Sequence, residues 1–455
     1  MTRTGWMVTV FAPAVLVVAA SSAVFRPSAG VSGTPVSQVS PSPSEPVTVG
    51  RPMGQSSCSS VGCHGGGVGG PDAARWMSSA HEWHAADPHR RAFAVLSEPL
   101  AVAMMARLFP GEPEKQRATE DARCLACHTN PALAAATDPH SVSLRREGVS
   151  CEACHGNAGG WLGPHTGFNQ NRDAGYTTSG MAKLYDLGER ALACAGCHVG
   201  APAGNGLPLR DMNHDMIAAG HPRLNFDFAT YQFLLPRHWN ERDRSTGAAD
   251  PDFEARAWLV GRVAHAEAAC NLTADRAKRA DPWPEFAEYS CVACHHRVGD
   301  KSAEYPAPTG RPLGSLPWQL IWPITRANSE SVGPTRGLQA ALATRSPDAV
   351  KTAAAEAATE LASLRAAYLG RADRLSYAAD LMKRTVDARP ELWSRDLTEQ
   401  VYHGAAAIAR ARIARGVYAD TESFAAAAKL LTLPRGTVRF DLPLGAAKTV
   451  RALVK

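Results

Sequence analysis

Ten of the eleven cysteines in this chain come in pairs, and each pair is followed at once by a histidine. Four of these are exact C-x-x-C-H runs: CLACH at 124–128, CEACH at 151–155, CAGCH at 194–198 and CVACH at 291–295. They supply Cys124, Cys127 and His128, then Cys151, Cys154 and His155, then Cys194, Cys197 and His198, and finally Cys291, Cys294 and His295. Two thiols at this spacing can add across the two vinyl groups of one haem, and the adjacent histidine then reaches the iron from one face. Zinc ribbons do not need a histidine after every second cysteine. A dithiol redox site needs one such motif rather than four. Iron–sulfur clusters would leave the histidines without a role.

A fifth run, Cys58-Ser-Ser-Val-Gly-Cys63-His64, has four residues between its cysteines. The cysteine–histidine pair is retained, so the run reads as a long-loop haem motif, with a Cys58–Cys63 disulfide as the alternative in an oxidising compartment. The expected cofactor is therefore haem c, covalently attached, five per chain. Cys270 is left over in a helical-looking stretch and reads as a buried structural thiol.

Of 16 histidines, eleven lie outside the motifs, enough to give every iron a second imidazole without forcing that outcome. They cluster: His81, His84 and His89 together, then His140, His165, the pair His214 and His221, then His238 and His265. Bis-histidine iron has no vacant position and suits electron transfer, whereas an iron lacking the second ligand is open to a small molecule.

In order along the chain stand CSSVGCHG, DPHRRAFAVL, CLACHT, GVSCEACHGNAGGWLGPH, CAGCHVG, NHDMIAAGHPRLNF, PRHW and EYSCVACHH. This set resembles the bacterial multihaem cytochromes c with a cytochrome c-554/c-prime type domain, relatives of the hydroxylamine-oxidoreductase superfamily. The resemblance spans about residues 51–322. It implies that His89, His165, His214, His221 and His238 are the distal ligands, in preference to His81, His84, His140 and His265. Two departures limit what carries over. The tetrahaem carrier of that superfamily has four haems against five motifs here. No tyrosine here is assigned as counterpart of the one cross-linked to the catalytic haem of hydroxylamine oxidoreductase.

The elements that must hold these groups follow from spacing. All five motifs fall within residues 58–295, too little polypeptide for a separate apolar core around each macrocycle, so haems should fill the interior and touch. Short helices joined by Gly- and Pro-rich loops are expected there. Beyond a Pro-rich boundary at Tyr305 to Pro323, Ser346-Pro347-Asp348 is a helix start. Val350, Ala354, Ala357, Leu361, Leu364 and Tyr368 then recur at helical spacing. Similar patterns at about 372–388 and 396–415 predict a small helical bundle that docks on or caps the haem region. His403, on the third of these helices, is expected at the surface.

At the other end, Arg3 followed by the apolar stretch Trp6 to Ala20 and by Ser21-Ser22-Ala23 reads as an export signal, or as an anchor if it is retained. The organisation expected is residues 1–25 as signal or anchor and 26–52 as a Pro/Ser-rich linker. Residues 53–322 form a pentahaem cytochrome c domain, and 323–455 an Ala-rich helical region. The fold class is mainly α with extensive irregular loops. Net charge is +5 with both signs interspersed, which gives no footprint for nucleic acid. The function expected is electron transfer in the periplasm to redox partner proteins, from a soluble or N-terminally tethered molecule. The alternative is an oxidoreductase with one open-site haem acting on a small nitrogen or sulfur compound.

Overall fold

The computed structural model describes residues 50–66, 75–167, 179–224, 226–239, 249–288, 332–387, 395–417 and 451. The signal segment, most of the linker, the motif at 291–295 and the Pro-rich boundary lie outside these. The α-helices among them are α1 (Ser79–Ala86), α2 (Pro99–Leu108), α3 (Ala122–His128), α4 (Pro139–Leu144), α5 (Cys151–His155), α6 (Leu187–His198) and α7 (His214–Ala219). After these come α8 (Phe228–Leu234), α9 (Phe253–Arg279), α10 (Val332–Thr344), α11 (Pro347–Gly370), α12 (Arg374–Asp387) and α13 (Arg395–Arg415). Short 3-10 turns link the first six, and two isolated bridges, Ala201 with Arg210 and Gly204 with Leu207, are the β pairing seen among the described residues. The protein is mainly helical with many irregular loops, as the sequence implies.

Local chemistry explains the brevity of the early helices. Asp121, Asp138, Asp186, Asn213 and Asp227 each stand just before a helix and accept hydrogen bonds from its first amides. Gly156 (φ 83°) and Gly220 (φ 117°) end α5 and α7 in conformations that a side chain disfavours. The elements are thus fixed by caps at both ends rather than by long apolar faces.

The C-terminal half is built differently. Helix α9 is buried along nearly its whole length, with Ala255, Ala257, Ala264, Ala266 and Cys270 inside. Small side chains let neighbours approach closely: a Cβ at Gly261 would stand 2.5 Å from that of Phe228 on α8. One apolar core runs from Leu187 and Ala191 of α6, through Phe226, Phe228 and α9, to Val350, Leu361, Leu381 and Ile408. Residues 47–455 accordingly form one compact unit. The helix read from its start at Ser346-Pro347-Asp348 through Tyr368, and those at about 372–388 and 396–415, are present as α11, α12 and α13. Ser346 caps α11 through Ala349 N, and Val350, Ala354, Ala357, Leu361 and Tyr368 are buried. His403 is a correction: it is half-buried, its Nδ1 3.1 Å from Thr230 Oγ1, because α13 packs on α8. No helix among the described residues is long and apolar enough to cross a membrane.

Candidate haem-binding site

In α3, α5 and α6 the C-x-x-C-H run forms the end of the helix, with its histidine as the last residue. Helical pitch places residues i, i+3 and i+4 on one face, so both sulfurs and the imidazole of each run look the same way. The long-loop run does this with turns. Cys58 follows a 3-10 turn, and the two extra residues fold so that His64 N bonds back to Cys58 O at 3.2 Å. Gly65 is needed next, since a Cβ there would strike Ser59 O. No disulfide joins any of the nine described cysteines, and Cys58 meets the thiol of Cys151 rather than that of Cys63.

Four motif histidines face four histidines from elsewhere in the chain. His64 stands 6.2 Å from His165, with ring planes 19° apart. His89 stands 6.1 Å from His198 at 75°. His128 and His221 are 6.3 Å apart at 79°, and His155 and His238 are 6.3 Å apart at 56°. Rings in contact would be closer. Two metal–nitrogen bonds of about 2 Å each plus the two half-rings fill a gap of this size, so these residues fit an axially ligated haem iron. Among the described residues no three His, Cys, Asp or Glu side chains converge into a metal-ligand cluster of another kind.

Hydrogen bonds orient the rings for this task. His64 Nδ1 is 2.8 Å from Trp76 O, His128 Nδ1 2.8 Å from Ala92 O, His165 Nδ1 2.5 Å from Leu162 O and His221 Nδ1 2.8 Å from Pro222 O. Each bond fixes the tautomer that leaves Nε2 for a metal. His89 Nδ1 instead meets the Asp87 carboxylate at 2.8 Å. His155 Nδ1 is buried with no hydrogen-bond partner.

Burial also keeps most of these imidazoles neutral, the form that binds metal. It pushes His155 down to about 3, helped by His238 and His64, and His198 down to about 4. His128 and His238 are lowered for the same first reason. For His89 burial also works downward, but the bond to Asp87 outweighs it and the net shift is upward. Desolvation raises the thiols of Cys124 to about 11 and Cys194 to about 12. Cys197 goes down to about 7, first through its bond from Cys127 and then through Arg210.

The motifs are drawn together in twos. The Cys58 thiol of the first run meets that of Cys151 in the third, and Cys127 of the second meets Cys197 of the fourth. Glu152, between the cysteines of the third run, accepts from Met53 N (2.9 Å), Gly54 N (2.8 Å) and Ala158 N (2.6 Å), binding the approach to the first run. Asn130 Nδ2 donates to Asn157 Oδ1 at 2.9 Å, joining the loops after the second and third runs.

Residues 57–156 match the family model described as cytochrome c554 and c-prime, which takes in the first three runs. Over that segment the chain is similar to the multihaem cytochromes c. No curated protein and no solved structure matches it. It is thus a haem-containing cytochrome that works in electron transfer or as an oxidoreductase, with covalently bound haem c.

Of the expected distal ligands, four stand opposite motif histidines in this cytochrome. The fifth, His214, begins α7, its amide donating to Glu285 Oε1 at 2.9 Å and its ring 5.7 Å from Phe286. Cys291, Cys294 and His295 lie outside the described residues. His81, His84 and His140 are exposed, and His265 is buried on α9 beside Phe226. Sequence reading missed Asp87, Glu152 and Arg210. Asp87 carried one signal, its place before Pro88 as a turn cap.

Proposed function

We propose that this cytochrome is an extracytoplasmic electron-transfer protein with five haems, of which four have two histidine ligands each. The pairs are His64 with His165, His128 with His221, His155 with His238, and His198 with His89. One observation carries the reading: all four separations fall between 6.1 and 6.3 Å although the ring planes differ by 19° to 79°. A spacing kept constant over such different orientations points to one common object between the rings.

Bound haem would supply one-electron iron chemistry at each site. The chain's own residues would hold the iron from both faces, with backbone carbonyls fixing the tautomers of His64, His128, His165 and His221. The thiol contacts of Cys58 with Cys151 and of Cys127 with Cys197 support close packing of the first site on the third and of the second on the fourth. Such contact is what carriage of electrons through a protein needs. The expected leader at 1–25, the covalent haem attachment and the linker at 26–52 support work in the periplasm, soluble or tethered, with redox proteins as partners. The haem region, 53–322, would then be braced by the helices of 323–455.

Electron paramagnetic resonance of the purified holoprotein tests this. Five low-spin ferric signals and no high-spin signal are expected from five haems counted as pyridine haemochromes. High-spin signals from two or more irons would sink the pairing. One high-spin iron that takes up nitrite, hydroxylamine or nitric oxide would instead favour the oxidoreductase alternative, with the run at 291–295 as its place.

A further inference from the structure

Among the imidazoles of the four facing pairs, His89 alone has a side-chain carboxylate against Nδ1. His64, His128, His165 and His221 meet backbone carbonyls at that atom, and His238 has a backbone hydrogen bond with Pro236. Asp87 Oδ1 is 2.8 Å from His89 Nδ1 and accepts from the His89 amide at 2.9 Å. The carboxylate is 9% exposed, so water screens it little. It is also held rigidly, because Asp87 caps the 3-10 turn Pro88–Arg91 that carries His89.

We propose that Asp87 is a positioning residue that gives His89 partial imidazolate character and so makes the His198–His89 site the lowest in reduction potential of the four. The physical reason has two parts. A carboxylate accepting the Nδ1 proton raises the basicity of the ring as a ligand, which favours the more positive ferric state. The buried negative charge itself adds to this, since removing it would leave the oxidised iron less compensated. Asp87 also lies near enough to His238 and Cys154 to act on them, so the neighbouring His155–His238 site is lowered too, by less. As the protein is reduced, the His198–His89 site stays oxidised longest. This gives the row of sites a direction that similar bis-histidine ligation would not supply.

The inference rests on His89 being the ligand opposite His198, and two variants separate the claims. Asp87→Asn keeps the turn cap, since Asn is as good an N-cap, and removes the charge. Spectroelectrochemical titration of the holoprotein should show the lowest potential moving up, with at least a tenfold change in the reduction equilibrium, about 59 mV. The ferric low-spin signal of that site should shift at the same time, with the spin count unchanged. Asp87→Ser, another capping residue without charge, must move the potential the same way and is read alone if the first variant does not fold. His89→Ala should convert one low-spin iron to high spin. If His89→Ala does so while neither Asp87 variant moves a potential, the role of Asp87 is overturned and the pairing stands. If His89→Ala leaves every iron low-spin, the pairing itself is wrong.

Discussion

Glu152 lies between Cys151 and Cys154, yet its carboxylate serves the chain a hundred residues earlier. It is buried, and it satisfies the amides of Met53, Gly54 and Ala158. A buried amide without a partner costs about 1–3 kcal/mol, so Glu152→Ala should destabilise by several kcal/mol and free the segment before Cys58. Limited proteolysis of the holoprotein should then cut ahead of Cys58, and haem content should fall from five toward four. His165 offers a cleaner test of one ligand. His165→Ala should leave five covalent haems but add one high-spin signal and carbon monoxide binding at the first site, read by resonance and optical spectra. Legibility at this scale follows covalency. Thioether attachment demands a fixed spacing, so the cysteines and proximal histidines stand out in the sequence. A distal histidine needs only to arrive from any direction, so family likeness suggested the set but not the pairing. Asp87 is hidden because a cap and a carboxylate partner use the same residue type.

At the scale of elements, two kinds of helix coexist. Helices α11 and α12 follow the 3.6-residue period because one face is buried and the other wet, and that pattern was readable, whereas α13 is buried all round from Gly404 to Ala409. Helix α9 is enclosed on nearly all sides, and its buried Arg262, Glu267 and Arg276 break any stripe; only its C-terminal part was read as helical. Its buried charges are paired across elements. Arg365 Nε is 2.8 Å from Glu267, and Arg262 Nη1 3.8 Å from Asp227. The glycines are the other requirement. Gly261→Val adds side chain where Phe228 already stands, and Gly404 has its own space taken by Met382 and by Trp258. Helix propensity would gain roughly 0.5 kcal/mol or less by replacing glycine with valine, whereas overpacking costs about 1–3 kcal/mol. The clash wins. Gly261→Val should lower the melting temperature measured by circular dichroism, although the residue belongs to none of the C-x-x-C-H runs.

The whole molecule is one unit because α9 serves two sides at once. Phe226 stacks on His198 at 5.2 Å, and His265 of α9 lies 6.2 Å from Phe226, so the apolar core begins at a proposed proximal ligand. At its far end Arg276 grips both the loop before His214 and the turn after it in sequence. Its guanidinium is 2.5 Å from Asp211 and 2.7 Å from Glu288, and Arg279 adds a bond to Asp211 at 2.8 Å. Burial tends to raise the Asp211 carboxyl, but Arg276 and Arg279 outweigh it and hold the carboxyl below its ordinary 3.8. A carboxylate depressed in the folded state contributes stability above its unfolded value, and that contribution is lost as pH falls through the lowered value. Burial keeps Glu288 raised despite the same arginine, so it does not share this dependence. Asp211→Asn should therefore cost about 1–3 kcal/mol at pH 7, since Arg276 keeps Glu288. The gap from the native protein should close below pH 3.8 as Asp211 itself takes up a proton. Melting curves at pH 7 and at successive steps below pH 4 check this. A gap that stays constant on acidification would mean that Asp211 acts by shape alone and that its charge does not help hold α9 to the loop carrying His214.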